Sequence, residues 1–281
     1  MNHPKKIIYI TYDGVLEPLG QSQVLKYISK SNYNKNILLL SFEKEKNFTN
    51  KKNLDYTKNI INDANIKWEY FFYSNKFWIL SKIIDMLKII YFIFKTKIKH
   101  KVKIIHARSY LPGFAVYISR LFINTKFIFD MRGFWIDERF EWSIWSNKNI
   151  INLKILKQIE KKIIHSATKI VVLCSDAKEI LNLEFKYDLK NISVIPTCAD
   201  ENQFNISKKK YWHNVLNICH LGTVGSRYNI DSTLQFYKLL NKYINTKILF
   251  INDNEKTFIK DNCKKYRLNK MNYEIKSIKY Y

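Results

Sequence analysis

No two of the four cysteines in these 281 residues, Cys174, Cys198, Cys219 and Cys263, form a C-x-x-C pair. Their wide spacing reads as reduced, mostly buried thiols of a cytosolic protein and excludes a disulfide framework. The six histidines (His3, His100, His106, His165, His213, His220) lack H-x-x-x-H or any other metal-ligand spacing, so no structural zinc and no metal is expected. The glycine-bearing loop after the first strand is not a G-x-G-x-x-G fingerprint, which argues against a nicotinamide enzyme. No stretch reaches the ~20 residues with few or no charges that a transmembrane helix needs. The first strand begins directly after Lys5 and Lys6, leaving no apolar segment of signal-peptide length, so a cytoplasmic chain is expected. Acidic side chains are scarce too: 24 against 48 lysines and arginines, a formal charge of +24.

Hydrophobic residues make up 47% of the chain and aromatics 15%, which excludes a mainly disordered protein. The length suits two domains better than one. Such a basic surface attracts phosphates and acidic lipid headgroups at low salt. The aromatics lie within apolar periodic segments and are not interleaved with basic residues on one stripe, so no nucleic-acid partner is expected.

Strand-like runs over 7–11, 37–42, 66–72, 102–106, 127–129, 169–173 and 192–195 alternate with helical patterns over 22–30, 54–64, 77–94, 112–122 and 152–166. Ser175 is read as the N-cap of a further helix. This alternation predicts an α/β fold with a doubly wound parallel sheet. Pro196, a polar run and Lys208–Lys210 mark a boundary, giving a Rossmann-like domain over 1–205 and an incomplete second one over 206–281. The second holds strands at LNICHLG, 247–251 and 273–278, with helices at 231–242 and 255–266. In 77–94, Ile83, Ile84, Leu87, Ile90, Tyr91 and Phe94 share one face, and Lys95, Lys97, Lys99, Lys101 and Lys103 follow. Two readings stay open: a core-facing helix with a solvated basic end, or a helix that adsorbs to an anionic membrane surface.

Chemistry-bearing residues gather where parallel strands end, the place where open α/β sheets leave a crevice. FIFDMRGFWIDERFE puts Asp130, Arg132 and Gly133 at the end of one strand and the flat Trp135 just beyond. HARS puts His106 and Arg108 at the end of another. Arg132 carries a permanent charge and a planar fork of donors suited to phosphate. The alternative reading is a structural ion pair with a core aromatic. The loop DGVLEPLG, with Gly14, Pro18 and Gly20, and the loop Gly222, Thr223, Val224, Gly225 followed by Arg227 each join a strand to a helix. Backbone N–H groups at such junctions favour anions, although a plain tight turn has the same sequence.

The segments YDGVLEPLGQSQV, HARSYLPG, FDMRGFWIDERFE, IEKKIIHSATKIVVLCSDA, ISVIPTCADENQF and HLGTVGSRYN, in this order, resemble glycosyltransferase family 4 of the GT-B fold, the bacterial polysaccharide type. The resemblance implies two Rossmann-like domains facing across a cleft. It also implies transfer of sugar from a nucleotide-sugar to a glycan or lipid-linked acceptor, with retention and with no cofactor beyond that co-substrate. Asp130, Arg132 and His106 would be catalytic. Gly222, Thr223, Gly225 and Arg227 would bind the donor, and Gly14, Gly20, Arg108 and Trp135 the acceptor. The family expectation is cell-surface carbohydrate, such as lipopolysaccharide, made in the cytoplasm or at the inner face of the membrane. The chain departs from the family in having no two glutamates eight positions apart and room for only about three strands after Val215. It therefore reads as shortened, through frameshift, fragmentary sequence or a split gene. That leaves open a partner chain completing the donor domain, or a non-catalytic protein that binds anionic membrane or glycan.

Overall fold

A parallel strand cannot pair with the next until a crossover of a dozen or more residues has brought the chain back. The alternation of apolar runs with amphipathic stretches supplies those crossovers. A computed structural model describes residues 6–74, 78–141, 150–199, 215–225, 228–252 and 255–277. The chain divides into two units, Met1–Gln203 and Phe204–Tyr281.

In the first unit, β1 (Ile7–Thr11), β2 (Ile37–Glu43), β3 (Lys67–Phe72), β4 (Ile104–Arg108), β5 (Lys126–Asp130), β6 (Lys169–Val172) and β7 (Ile192–Val194) form one sheet. Its order is β3-β2-β1-β4-β5-β6-β7, and every neighbouring pair is parallel. Side chains alternate across it with the two-residue period of a strand. Ile8, Ile10, Leu38 and Leu40 pack on one face with Ile89, Phe92 and Ile93 of α4 (Trp78–Lys99) and Val116 of α5 (Tyr110–Ser119). Tyr9 and Leu39 pack on the other with Val24, Leu25, Ile28 and Ile61. Ile61 belongs to α3 (Lys51–Asp63), which Asn50 caps by accepting from the Asn53 N–H. Pro18, free of an N–H that would go unpaired, opens α1 (Pro18–Gly20). A π turn over Gln21–Leu25 then runs into α2 (Lys26–Ser29). The remaining helices are α6 (Trp135–Glu141), α7 (Ile150–Ser166) and α8 (Ser175–Phe185).

Three expectations are corrected. Helix α4 extends past 94, so Lys95, Lys97 and Lys99 lie on it. It also presents Ile83, Leu87 and Tyr91 to solvent, at 44, 55 and 63% exposure, and turns Ser81, Asp85, Ile89, Phe92, Ile93 and Thr96 inward. The reason is Asp85. Its buried carboxylate accepts from Tyr12 Oη at 2.6 Å, Ser74 Oγ at 2.7 Å and Lys88 Nζ at 3.1 Å, and so fixes a polar side of the helix against the unit. Second, Ser175 is the first helical residue of α8, with Cys174 at the cap position and no side-chain cap bond. Third, Cys174, Cys198 and Cys219 are exposed and only Cys263 is buried, because the first two lie in connections at the ends of β6 and β7. Cys219 sits on an edge strand.

That edge strand is in the second unit, where β8 (Leu216–Leu221), β9 (Thr246–Ile251) and β10 (Tyr273–Lys276) form a parallel sheet of order β10-β9-β8. Helices α9 (Ile230–Leu240) and α10 (Lys256–Lys265) complete it around Val224, Leu234, Tyr237, Ile248, Phe250 and Ile259. Among the described residues no helix is long and apolar enough to cross a membrane.

Candidate functional site

The strand order of the first unit reverses between β1 and β4, and the carboxyl ends of these strands bound the crevice where such sheets hold ligands. Register sets Thr11 beside Arg108 and Arg108 beside Asp130. Asp130 is buried and central. Its Oδ2 lies 3.6 Å from Arg108 Nη1 and 3.6 Å from His106 Nε2, within ion-pair reach though long for a hydrogen bond, and its Oδ1 lies 3.4 Å from Arg132 Nη1. Tyr9 Oη, one strand further, is 3.4 Å from Oδ2, and the Tyr9 and His106 rings are tilted against each other at 4.4 Å. Burial alone would raise the Asp130 carboxyl, but His106, Arg132 and Arg108 together hold it below the ordinary carboxylate value. Burial, then the Asp130 carboxylate, push the Tyr9 hydroxyl well above its usual range.

The guanidiniums are fixed from their other sides. Arg108 Nε donates to Asp13 Oδ2 at 3.1 Å. The Gln23 carbonyl, in the π turn, accepts from Arg108 Nη2 at 2.8 Å and from Arg132 Nη2 at 3.1 Å. Arg132 Nη2 also donates to Thr197 Oγ1 at 3.2 Å. The loop carrying Thr197 is tied to α2, where Tyr27 Oη donates to Pro196 O and accepts from the Cys198 N–H. Ser109, next to Arg108, has φ 74° and ψ 173°, a conformation other residues leave to glycine and one that collects at functional sites. His106 Nε2 and Arg108 Nη1 are buried and, beyond their 3.6 Å ion-pair approach to Asp130, make no hydrogen bond. The arrangement is a buried carboxylate that orients two cations and an imidazole, chemistry suited to gripping a phosphate or sugar.

Gly14 and Gly20, in the loop that carries Asp13, stand against each other. A Cβ on Gly20 would run into the Gly14 carbonyl, and one on Gly14 would lie 2.6 Å from Glu43 Oε2. Glu43 is buried and holds the loop by accepting the Val15 N–H at 2.7 Å and the Leu16 N–H at 3.3 Å, with Ser41 Oγ donating at 2.5 Å. Burial outweighs these donors and raises its carboxyl from 4.5 to about 7. A carboxyl so raised stabilises the fold fully below its unfolded value and loses that contribution as pH rises through the folded one. Stability should therefore decline between about pH 4.5 and 7, and Glu43→Gln should flatten that decline in denaturation series across the same window. A cavity of about 490 Å³ borders this loop, lined by Tyr12, Glu43, Lys44, Lys46, Phe72, Tyr73 and Lys82 among others. Trp135 opens α6, its ring 6.0 Å from that of Tyr110 and 5.2 Å from the Arg139 guanidinium.

In the second unit, Gly222 takes φ 113° and its N–H donates to Ile251 O. Thr223 is exposed. The Val224 N–H donates to Glu255 Oε2 at 2.8 Å, and that bond leads in holding the Glu255 carboxyl below its ordinary value. A Cβ on Gly225 would meet Glu255 Oε1 at 2.6 Å. The turn thus already receives an anionic group, one from its own chain. Arg227 lies outside the described residues.

No protein-family model and no curated protein sequence matches the chain. Solved structures do. The apo form of the lipopolysaccharide outer core galactosyltransferase WaaB superposes with a TM-score of 0.59 at 11% identity, over 98% of this chain and 68% of that one. Anabaena HepE in complex with UDP and glucose gives 0.61 at 13%, over 99% and 70%. Sucrose-phosphate synthase from Thermosynechococcus elongatus gives 0.63 at 12%, over 97% and 70%. The chain has a GT-B-like fold. A UDP-GlcNAc 2-epimerase from Neisseria meningitidis is also similar, with a TM-score of 0.55 at 13% identity, over 98% of this chain and 73% of that one, so the fold by itself does not choose a reaction.

His106, Arg108, Asp130 and Arg132 come together on one rim, with Gly14 joined to them through Asp13. Trp135 stands one turn away on α6, and Gly222, Thr223 and Gly225 belong to the other unit. Sequence reasoning missed Tyr9, Asp13, Gln23, Glu43 and Thr197. Asp13 was findable, being a carboxylate two residues past β1 just as Arg132 is two residues past β5. Gln23 carries no such signal, since a π turn has no signature in this sequence.

Proposed function

We propose that the chain transfers a sugar from a nucleotide-sugar to a glycan or lipid-linked acceptor, with retention at the anomeric carbon, in cell-surface polysaccharide synthesis. The observation that carries this reading is the convergence of Arg108, Arg132 and His106 on buried Asp130 at the switch point of a GT-B-like sheet. HepE structures hold UDP and UDP-glucose, and WaaB is a galactosyltransferase, which favours a nucleotide-sugar over other phosphorylated ligands. Breaking the sugar–phosphate bond develops negative charge on the departing diphosphate, which preplaced cations stabilise. Arg132, partly exposed, is the group we assign to that contact, with His106 at the reacting sugar. Asp130, buried by both, acts through them as a positioning residue.

The purified protein, given a panel of nucleotide-sugars and lipid-linked or free glycans, should release nucleoside diphosphate, and the product anomer read by NMR should match the donor's. Arg132→Ala should lower kcat/KM by about 100-fold; an unchanged value would remove Arg132 from the chemistry. The second reading, a non-catalytic protein that binds anionic membrane or glycan, is favoured by the Glu255 carboxylate on the turn. It requires that no nucleoside diphosphate be released from any donor.

A further inference from the structure

Helix α4 carries apolar residues on its outward side as well as on the side that packs into the core. Leu80, Ile83, Leu87, Tyr91 and Ile98 are exposed, and with half-buried Ile84 and Phe94 they recur every three or four residues, one stripe along the helix. At 1.5 Å per residue the stripe from Leu80 to Ile98 runs about 27 Å. It continues sideways onto the turn after α5, where Leu121 and Phe122 are 65 and 74% exposed and the Phe122 ring lies 6.3 Å from that of Phe94. A contiguous apolar patch of this kind marks a docking surface.

The charge around the stripe selects its occupant. From Trp78 to Lys126 the sequence has eight lysines, two arginines and one acidic residue, Asp85. Asp85 is fully buried beneath the helix. Lys95, Lys99, Lys101 and Lys103 are exposed around the far end of the stripe. A second copy of this chain would bring the same cations, on a protein of net charge +24, against one another. An acidic lipid surface offers hydrocarbon to the leucines and isoleucines, an interfacial layer to Tyr91, and phosphates to the lysines.

We propose that α4 lies flat on an anionic lipid surface, its Leu80–Ile98 stripe in the headgroup boundary and its lysines on lipid phosphates. This docking is independent of the transferase reading and is measured without catalysis. The full chain should co-sediment with vesicles of phosphatidylcholine and phosphatidylglycerol, more weakly as salt rises, and much less with phosphatidylcholine alone. The double substitution Leu87→Gln, Tyr91→Gln changes solvent-facing positions and should leave thermal unfolding unchanged while weakening vesicle binding at least tenfold. Lys95→Glu, Lys99→Glu should do the same by removing the electrostatic part. Absence of vesicle binding by the parent, or parent-like binding by the Leu87/Tyr91 variant, overturns the proposal. So does a parent dimer in sedimentation that this variant converts to monomer with vesicle binding intact, since the stripe would then belong to a second copy.

Discussion

Asp130→Asn is expected to lower the unfolding free energy by about 3–5 kcal/mol near neutral pH, the usual effect of removing one partner from a buried ion pair. The side chain keeps its size, so no cavity opens. What is lost is the charge facing buried Arg108, 3.6 Å away, and half-buried Arg132, 3.4 Å away. Arg108 retains Asp13 and Gln23, which places the expectation toward the lower end of the range. Acid supplies an independent check. Because the folded carboxyl sits below its ordinary value, its contribution is present above the unfolded pKa of about 3.9 and disappears as pH falls through the folded one. Denaturant titrations at pH 7 and pH 3 should show parent and variant far apart at the first and closer at the second. A difference under about 1 kcal/mol at pH 7 would mean that the guanidiniums find other partners.

Gly20→Ala should be nearly as damaging, at about 3 kcal/mol, the upper end for overpacking. The new methyl would press on the Gly14 carbonyl and come within 3.0 Å of Val15 Cα. These are backbone atoms, held in place by Glu43 through the Val15 and Leu16 amides. Any relief must move the loop, and with it Asp13 and its bond to Arg108. Gly113→Ala is the control. Its methyl meets the Phe129 ring at 2.9 Å, a side chain that can tilt, so the cost should be about 1 kcal/mol. Thermal unfolding of the two variants compares them directly, and equal losses would mean that the Gly14 loop yields as easily as a ring.

The βα series was legible because its central strands are buried on both faces and read as apolar runs such as ILLL in β2. Strand ends were legible for the same reason: the first charge after a run marks the carboxyl edge, which is how Asp130, Arg132, His106 and Arg108 were placed on one rim. Helix α4 was harder, since apolar residues occupy both sides and periodicity cannot say which faces in. Asp85, a charge within an apolar helix, held the answer, and its partners Tyr12 and Ser74 are known only from the fold. Glu43 was hidden by its setting at the end of a strand that looks like one leading to solvent. The cysteines were judged by residue type, which is blind to Cys219 lying on an edge.

The centre of the first sheet has a kinetic consequence. Ile7 pairs with Ile37 on one side but with Ile104 on the other. Contacts so distant along the chain reward loop closure late, and sheets built from them fold slowly. During synthesis β1 to β3 must therefore wait with one edge unpaired until β4 has emerged, so the rim that carries Arg108 is assembled after the half of the sheet it faces.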